Sequence, residues 1–228
     1  MQKTLFLNAF VLALVGSSIA NATVLTNVSG PLAGSGTLTG VISTPSPAND
    51  NVTGFSSNTI NMTESITGFD PNSGFLSNFT MVASPNGRTE YTVTKTITNN
   101  TGFAWTSFRV AVGCDPAGTI PRYTVPCFGQ GANNPLRMDY DLLPTISGAG
   151  TGAASLVTPN EAYFDFTGLS VGIGSTMTLT FNMDAGINWS GGAPMGQFAN
   201  VSSVPEPGTY AMLGLGLLAM ASFRKRSN

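Results

Sequence analysis

The residues of this chain best suited to chemistry are carboxylates. In MDYDL, Asp139 and Asp141 alternate with apolar neighbours and so fall on one face of an extended segment, and in EAYFDF, Glu161 and Asp165 bracket another. Two carboxyls about 5 to 9.5 Å apart are the machinery of a glycosidase. The competing reading makes all four solvated acids on the outer faces of strands whose inner faces carry Met138, Tyr140 and Leu142. That reading is preferred, because nothing in the spacing makes the acids converge. Asp139, Asp141 and Asp184 also offer the hard oxygen ligands that suit extracellular calcium, although their spacing matches neither an EF-hand loop nor an Asp/Gly-rich repeat. No metal or cofactor is therefore expected to be resident, and Asp139 and Asp141 remain weak metal candidates.

The chain has no histidine. That removes the commonest general base, every Ser-His or Cys-His nucleophile and the usual zinc sites. Gly34-Ser35-Gly36 is not a phosphate loop, since no Gly-Lys-Ser/Thr follows it. The expectation is a protein that is not an enzyme, with a secreted carbohydrate-active hydrolase and a calcium-stabilised adhesin as alternatives. Cys114 and Cys127, in the Pro- and Gly-punctuated CDPAGTIPRYTVPC, have no Cys-x-x-Cys character. In an exported chain they are expected to form one structural disulfide, and closing a loop of that length contributes about 3 kcal/mol if unstrained.

The elements that must position these residues are strands. In STMTLTFNMDA, Met177, Leu179, Phe181 and Met183 fall on one face and Thr176, Thr178, Thr180 and Asn182 on the other. TEYTVTKTITN places Tyr91, Val93, Lys95 and Ile97 inward, with Lys95 expected near a sheet edge where its amine can reach water. With FAWTSFRVAVG after a four-residue Asn-Asn-Thr-Gly turn, residues 89–113 suggest a hairpin, anchored in the core by Trp105. Further strands are expected at 37–43, 58–66, 75–83, 136–143 and 162–169, and looser connections at 42–51 and 147–160. Eight or more strands without a βαβ rhythm predict an all-β domain, an antiparallel β-sandwich with a closed barrel as the alternative.

Both ends of the chain point to export. Lys3, the apolar run Leu5–Val15 and small residues ending in Ala20-Asn21-Ala22 form a signal peptide over 1–22, with a rival cut after Ala20. The exported β-rich domain is then 23–184, followed by a Gly/Pro/Ser stalk over 185–203 and a terminal segment over 204–228. Residues 23–204 hold five basic and ten acidic side chains, a net charge of −5. Such a surface argues against nucleic acid as partner.

In the terminal segment, Gly208–Phe223 is an uncharged run that spans about 24 Å as a helix, enough to cross a bilayer with some local thinning. Arg224, Lys225 and Arg226 place the terminus on the cytoplasmic side. Pro205 and Pro207 cannot continue a helix and leave Glu206 displayed just above the bilayer. This arrangement, Val204-Pro205-Glu206-Pro207 followed by a short apolar helix and a basic end, resembles the PEP-CTERM sorting signal of Gram-negative bacteria. The resemblance implies that an exosortase, a multi-pass membrane protease or transpeptidase, recognises and removes the tail. It also implies a transient membrane anchor through the C-terminal helix, then delivery to the cell surface or the extracellular polysaccharide matrix, where biofilm polysaccharide is a candidate partner. A plain single-pass anchor is the alternative; a Leu-Pro-x-Thr-Gly sortase motif is absent, and a GPI signal does not suit the basic terminus.

Overall fold

A computed structural model of the chain describes residues 22–85, 87–113, 135–186 and 190–200. The expected signal peptide up to Asn21, the Cys114–Cys127 loop, and the tail with Val204–Pro207, Gly208–Phe223 and Arg224–Arg226 lie outside the described residues. Among the described residues there are twelve strands, and no helix is long and apolar enough to cross a membrane.

The strands are β1 (Ala22–Ala33), β2 (Ser35–Ser43), β3 (Thr59–Gly68), β4 (Phe75–Pro85), β5 (Thr89–Asn99), β6 (Trp105–Val112), β7 (Leu136–Asp139), β8 (Thr145–Gly148), β9 (Ser155–Asn160), β10 (Tyr163–Val171), β11 (Thr176–Ala185) and β12 (Gly191–Ala199). They form two sheets, β1-β4-β12-β6-β10-β9 and β2-β3-β5-β11-β7, with β8 also pairing β11. Neither closes on itself, which sets aside the barrel. One apolar cluster draws on both sheets, with Phe79, Phe108, Phe164 and Met195 from the first and Ile60, Val93, Leu179 and Phe181 from the second. The described strands therefore pack as two sheets about one core, the arrangement of a sandwich.

Alternation decides which side chains enter that core. Met177, Leu179, Phe181 and Met183 of β11 are all fully buried, as are Tyr91, Val93 and Ile97 of β5 and Trp105 at the start of β6. The chain passes from β1 to β2, in the other sheet, at the single residue Gly34, whose φ of +77° suits glycine and whose missing Cβ leaves room for the carbonyl oxygens of Gly68 and Gly74.

Six sequence expectations are corrected. Residues 89–113 are not a hairpin, because β5 lies in the second sheet and β6 in the first. The sandwich is not wholly antiparallel: β4 crosses to the other sheet between β3 and β5, so those two pair in parallel, Met62 beside Lys95. β5 is consequently central, and Lys95 is fully buried instead of reaching water at an edge. Much of the expected stalk is strand β12, which sits between β4 and β6 in the middle of its sheet. The connection over 147–160 likewise contains β9, and the expected strand 136–143 stops at Asp139.

Candidate functional site

The outer face of the second sheet carries an acidic site fixed by strand register. Antiparallel pairing sets Asp184 of β11 opposite Glu90 of β5 on one side and opposite Arg137 of β7 on the other, while Asn182 faces Thr92 and Asp139. Directly opposed residues share a face, so Glu90, Asp184 and Asp139 converge. One carboxylate oxygen from each lies within 4.8 Å of the others. Like charges directly opposed across a strand pair are destabilising, which makes the pairing of Glu90 with Asp184 unusual.

The loop between β2 and β3 removes this face from water. Asn58 Nδ2 donates to the Glu90 carbonyl at 2.9 Å, Ser56 N donates to Thr92 Oγ1 at 2.7 Å, and Val52 N donates to Glu90 Oε2 at 2.7 Å. Asn182 Nδ2 holds the other Glu90 oxygen at 2.8 Å. As a result Glu90 is fully buried, Asp184 is 6% exposed and Asp139 is half-buried. Burial pushes the carboxyl of Glu90 up to about 7, with further upward pressure from Asp139, Asp141 and Asp50. Burial likewise raises Asp184 to about 7, helped by Asp139, Asp50 and Glu90 and opposed by Arg88.

The cations nearby do not neutralise the group. Arg88 Nη1 reaches Asp184 Oδ2 only at 3.9 Å, and Arg137 turns to Glu161 at 3.4 Å. Asp184 Oδ1 is buried without a hydrogen-bond partner. Three convergent carboxylates, one with an orphaned oxygen, beside a cleft of about 210 Å³ that Asn51 also lines, have the donor chemistry of a site for a hard divalent cation.

Of the acids singled out in the sequence, Asp139 and Asp184 meet. Asp141 donates its backbone N–H to Asp139 Oδ1 at 3.0 Å, which turns the chain just after β7. Glu161 and Asp165 are each engaged by a different arginine: Arg109 grips Asp165 with two bonds of 2.6 Å and stacks on the Tyr163 ring, 4.3 Å from its centroid. Glu90 was not anticipated, because only the β5–β11 register brings it to Asp184, and that register is not written in either segment alone.

A second concavity of about 370 Å³ lies where β12 ends, lined by Phe69, Pro71, Phe103 and Phe198. Its polar members are already occupied: Asp70 accepts from the backbone of Asn72 and Ser73, and Asn200 Oδ1 accepts from Thr106. It is thus an apolar cleft beside the residues that lead into the tail.

Residues 203–226 match the family model of the PEP-CTERM protein-sorting motif, so the chain carries the sorting signal that an exosortase processes, directing it toward the cell surface. No curated protein and no solved structure matches the chain.

Proposed function

We propose that this is a non-catalytic surface or extracellular-matrix protein, sorted and cleaved by an exosortase through Pro205-Glu206-Pro207 and associated afterwards with exopolysaccharide. The observation that carries the proposal is the sorting motif at 203–226, which begins three residues after Asn200. The apolar run from Gly208 to Phe223 holds the chain in the membrane, Arg224, Lys225 and Arg226 fix its orientation, and the proline-bounded Glu206 is the epitope. The sandwich is the cargo. Its Thr- and Asn-rich outer strands and the apolar cleft at Phe69, Phe103 and Phe198 are the surfaces offered to a polysaccharide matrix.

Replacing Pro205, Glu206 and Pro207 with alanine tests recognition separately from anchoring. Membrane insertion should persist, because the apolar run and basic end are untouched, and the variant should accumulate as an uncleaved, membrane-bound species. Maturation at the wild-type rate would reduce the tail to a plain anchor.

The convergence of Glu90, Asp139 and Asp184 favours a second reading of the cargo, as a calcium-stabilised adhesive domain. Oxygens that share one calcium at about 2.4 Å each lie no more than about twice that distance apart, which this trio satisfies. Calcium would also relieve the repulsion between Glu90 and Asp184. A rise in melting temperature with added calcium, absent in Glu90→Gln, is the expected result.

A further inference from the structure

Three polar side chains meet in the middle of the sandwich, where packing is otherwise apolar. Lys95 comes from β5, Glu64 from the neighbouring β3, and Gln197 from β12 in the opposite sheet; their exposures are 0%, 1% and 0%. Glu64 Oε1 accepts from Lys95 Nζ at 2.6 Å and from Gln197 Nε2 at 3.1 Å, so the amine and the carboxamide are drawn to one oxygen. The thioether sulfurs of Met62 and Met195, 3.5 and 3.6 Å from Nζ, complete the surroundings of the amine. Glu64 Oε2 and Gln197 Oε1 are both buried with no hydrogen-bond partner.

As a device for holding two sheets together, this trio is expensive. A buried ion pair contributes little that apolar side chains of the same volume would not, and each orphaned acceptor keeps its desolvation cost. As a reaction centre, the same features have a use. Burial depresses the pKa of Lys95 and so favours its neutral, nucleophilic amine, against the opposing pull of Glu64. A carboxylate in contact with both the amine and the amide nitrogen is placed to carry a proton from one to the other. Burial of all three side chains holds the partners close together and limits access of solvent to them.

We propose that Lys95 and Gln197 become joined by an intramolecular amide bond, formed autocatalytically with Glu64 as the acid–base group. The Lys95 amine adds to Gln197 Cδ, forming the new C–N bond. Glu64 accepts a proton from the attacking nitrogen and returns it to Nε2 of Gln197. The old C–N bond then breaks and ammonia leaves, with Glu64 restored. One amine and one primary amide give one secondary amide and one ammonia, so no oxidant, reductant or cofactor is consumed. The product links β5 of one sheet to β12 of the other.

Peptide mapping by mass spectrometry, on protein purified from its native host and then denatured and reduced, tests this directly. The expected result is a joined peptide pair containing Lys95 and Gln197, lighter by one ammonia than the two peptides summed. Recovery of Lys95 and Gln197 in separate unmodified peptides, or of Gln197 hydrolysed to glutamate beside a free Lys95, would overturn the proposal. Glu64→Gln preserves shape but cannot accept the proton, and it should leave the pair unjoined; a joined pair in that variant would remove Glu64 from the reaction. Should Glu64→Gln fail to fold, the wild-type map still decides.

Discussion

At the level of single residues, the two buried polar sites make opposite demands on charge. Glu90 and Asp184 are both raised to about 7 in the fold, from ordinary values of 4.5 and 3.8. The folded protein therefore binds more protons than the unfolded chain between those limits, and the stability this brings is fully present below about pH 4 and lost as pH rises toward 7. In chelator, the melting temperature should fall across that window, and calcium should restore it at neutral pH. Glu90→Gln should flatten the fall, raise the melting temperature in chelator at pH 7.5, and remove the response to calcium; a calcium response that survived the substitution would separate the ion from this cluster.

The Lys95 site gives a different test. Glu64→Ala leaves the fully buried Lys95 amine and the Gln197 carboxamide without their shared acceptor and should cost about 3–5 kcal/mol in denaturant unfolding. The apolar double variant Lys95→Met with Glu64→Leu removes both charges and should recover most of that loss. If the amide to Gln197 forms, it closes a loop of about a hundred residues, and in the chain-entropy model this restricts the unfolded state by an amount on the order of 4–5 kcal/mol. The double variant would then remain below the wild type by about that margin, whereas near-equality would fit a simple ion pair. The sequence placed Lys95 on the inner face through the period of two, but its depth depended on β5 being central, which alternation does not encode. Glu90 was hidden for a related reason: acids within one segment can be compared by eye, while those on strands joined late in the chain meet only through register.

For the elements, legibility followed composition. β11 and β5 were evident because β-branched and large apolar residues alternate in them with threonine, and Met177, Leu179, Phe181 and Met183 fill the core as that pattern requires. β12, GGAPMGQFA, has the sequence of a stalk because Gly and Pro weaken strand propensity and proline rarely occupies a central strand. Tertiary context overrides this. Pro194 lies opposite Asn78, Gly113 N donates to the Pro194 carbonyl at 3.1 Å, and Ala193, Met195 and Gln197 are fully buried. At Gly192 an added Cβ would lie 2.8 Å from Asn78 Oδ1, so a larger residue there requires the Asn78 side chain to shift. A chain ending at Gly186 should accordingly lose the middle of the first sheet and fail to fold, as judged by the loss of cooperative unfolding and of tryptophan burial at Trp105. Had 185–203 been a stalk, that truncation would leave a stable domain.

At the scale of the whole molecule, the position of β12 changes how cargo and sorting signal are connected. Asn200 is the last described residue before the tail, and it is tied to the fold by its N–H to the Ser107 carbonyl at 2.9 Å and by its side chain to Thr106 at 2.7 Å. Only Val201, Ser202, Ser203 and Val204 separate it from Pro205. Even fully extended, a connection of that length spans no more than about 18 Å. Under the proposed function, the sandwich must sit close against the outer face of the membrane while an exosortase engages Pro205-Glu206-Pro207, so the folded cargo itself limits access to the signal. Inserting a flexible Gly/Ser spacer after Val201 should speed removal of the tail, and deleting Val201-Ser202-Ser203 should slow or block it, with insertion and orientation unchanged because Gly208–Phe223 and the basic end are intact. Pulse-chase measurement of tail removal in the exosortase-containing host distinguishes the cases. Equal rates for the spacer, deletion and wild-type chains would mean that the enzyme does not approach the signal from the side occupied by the sandwich, and the close seating of the cargo would then have no bearing on its processing.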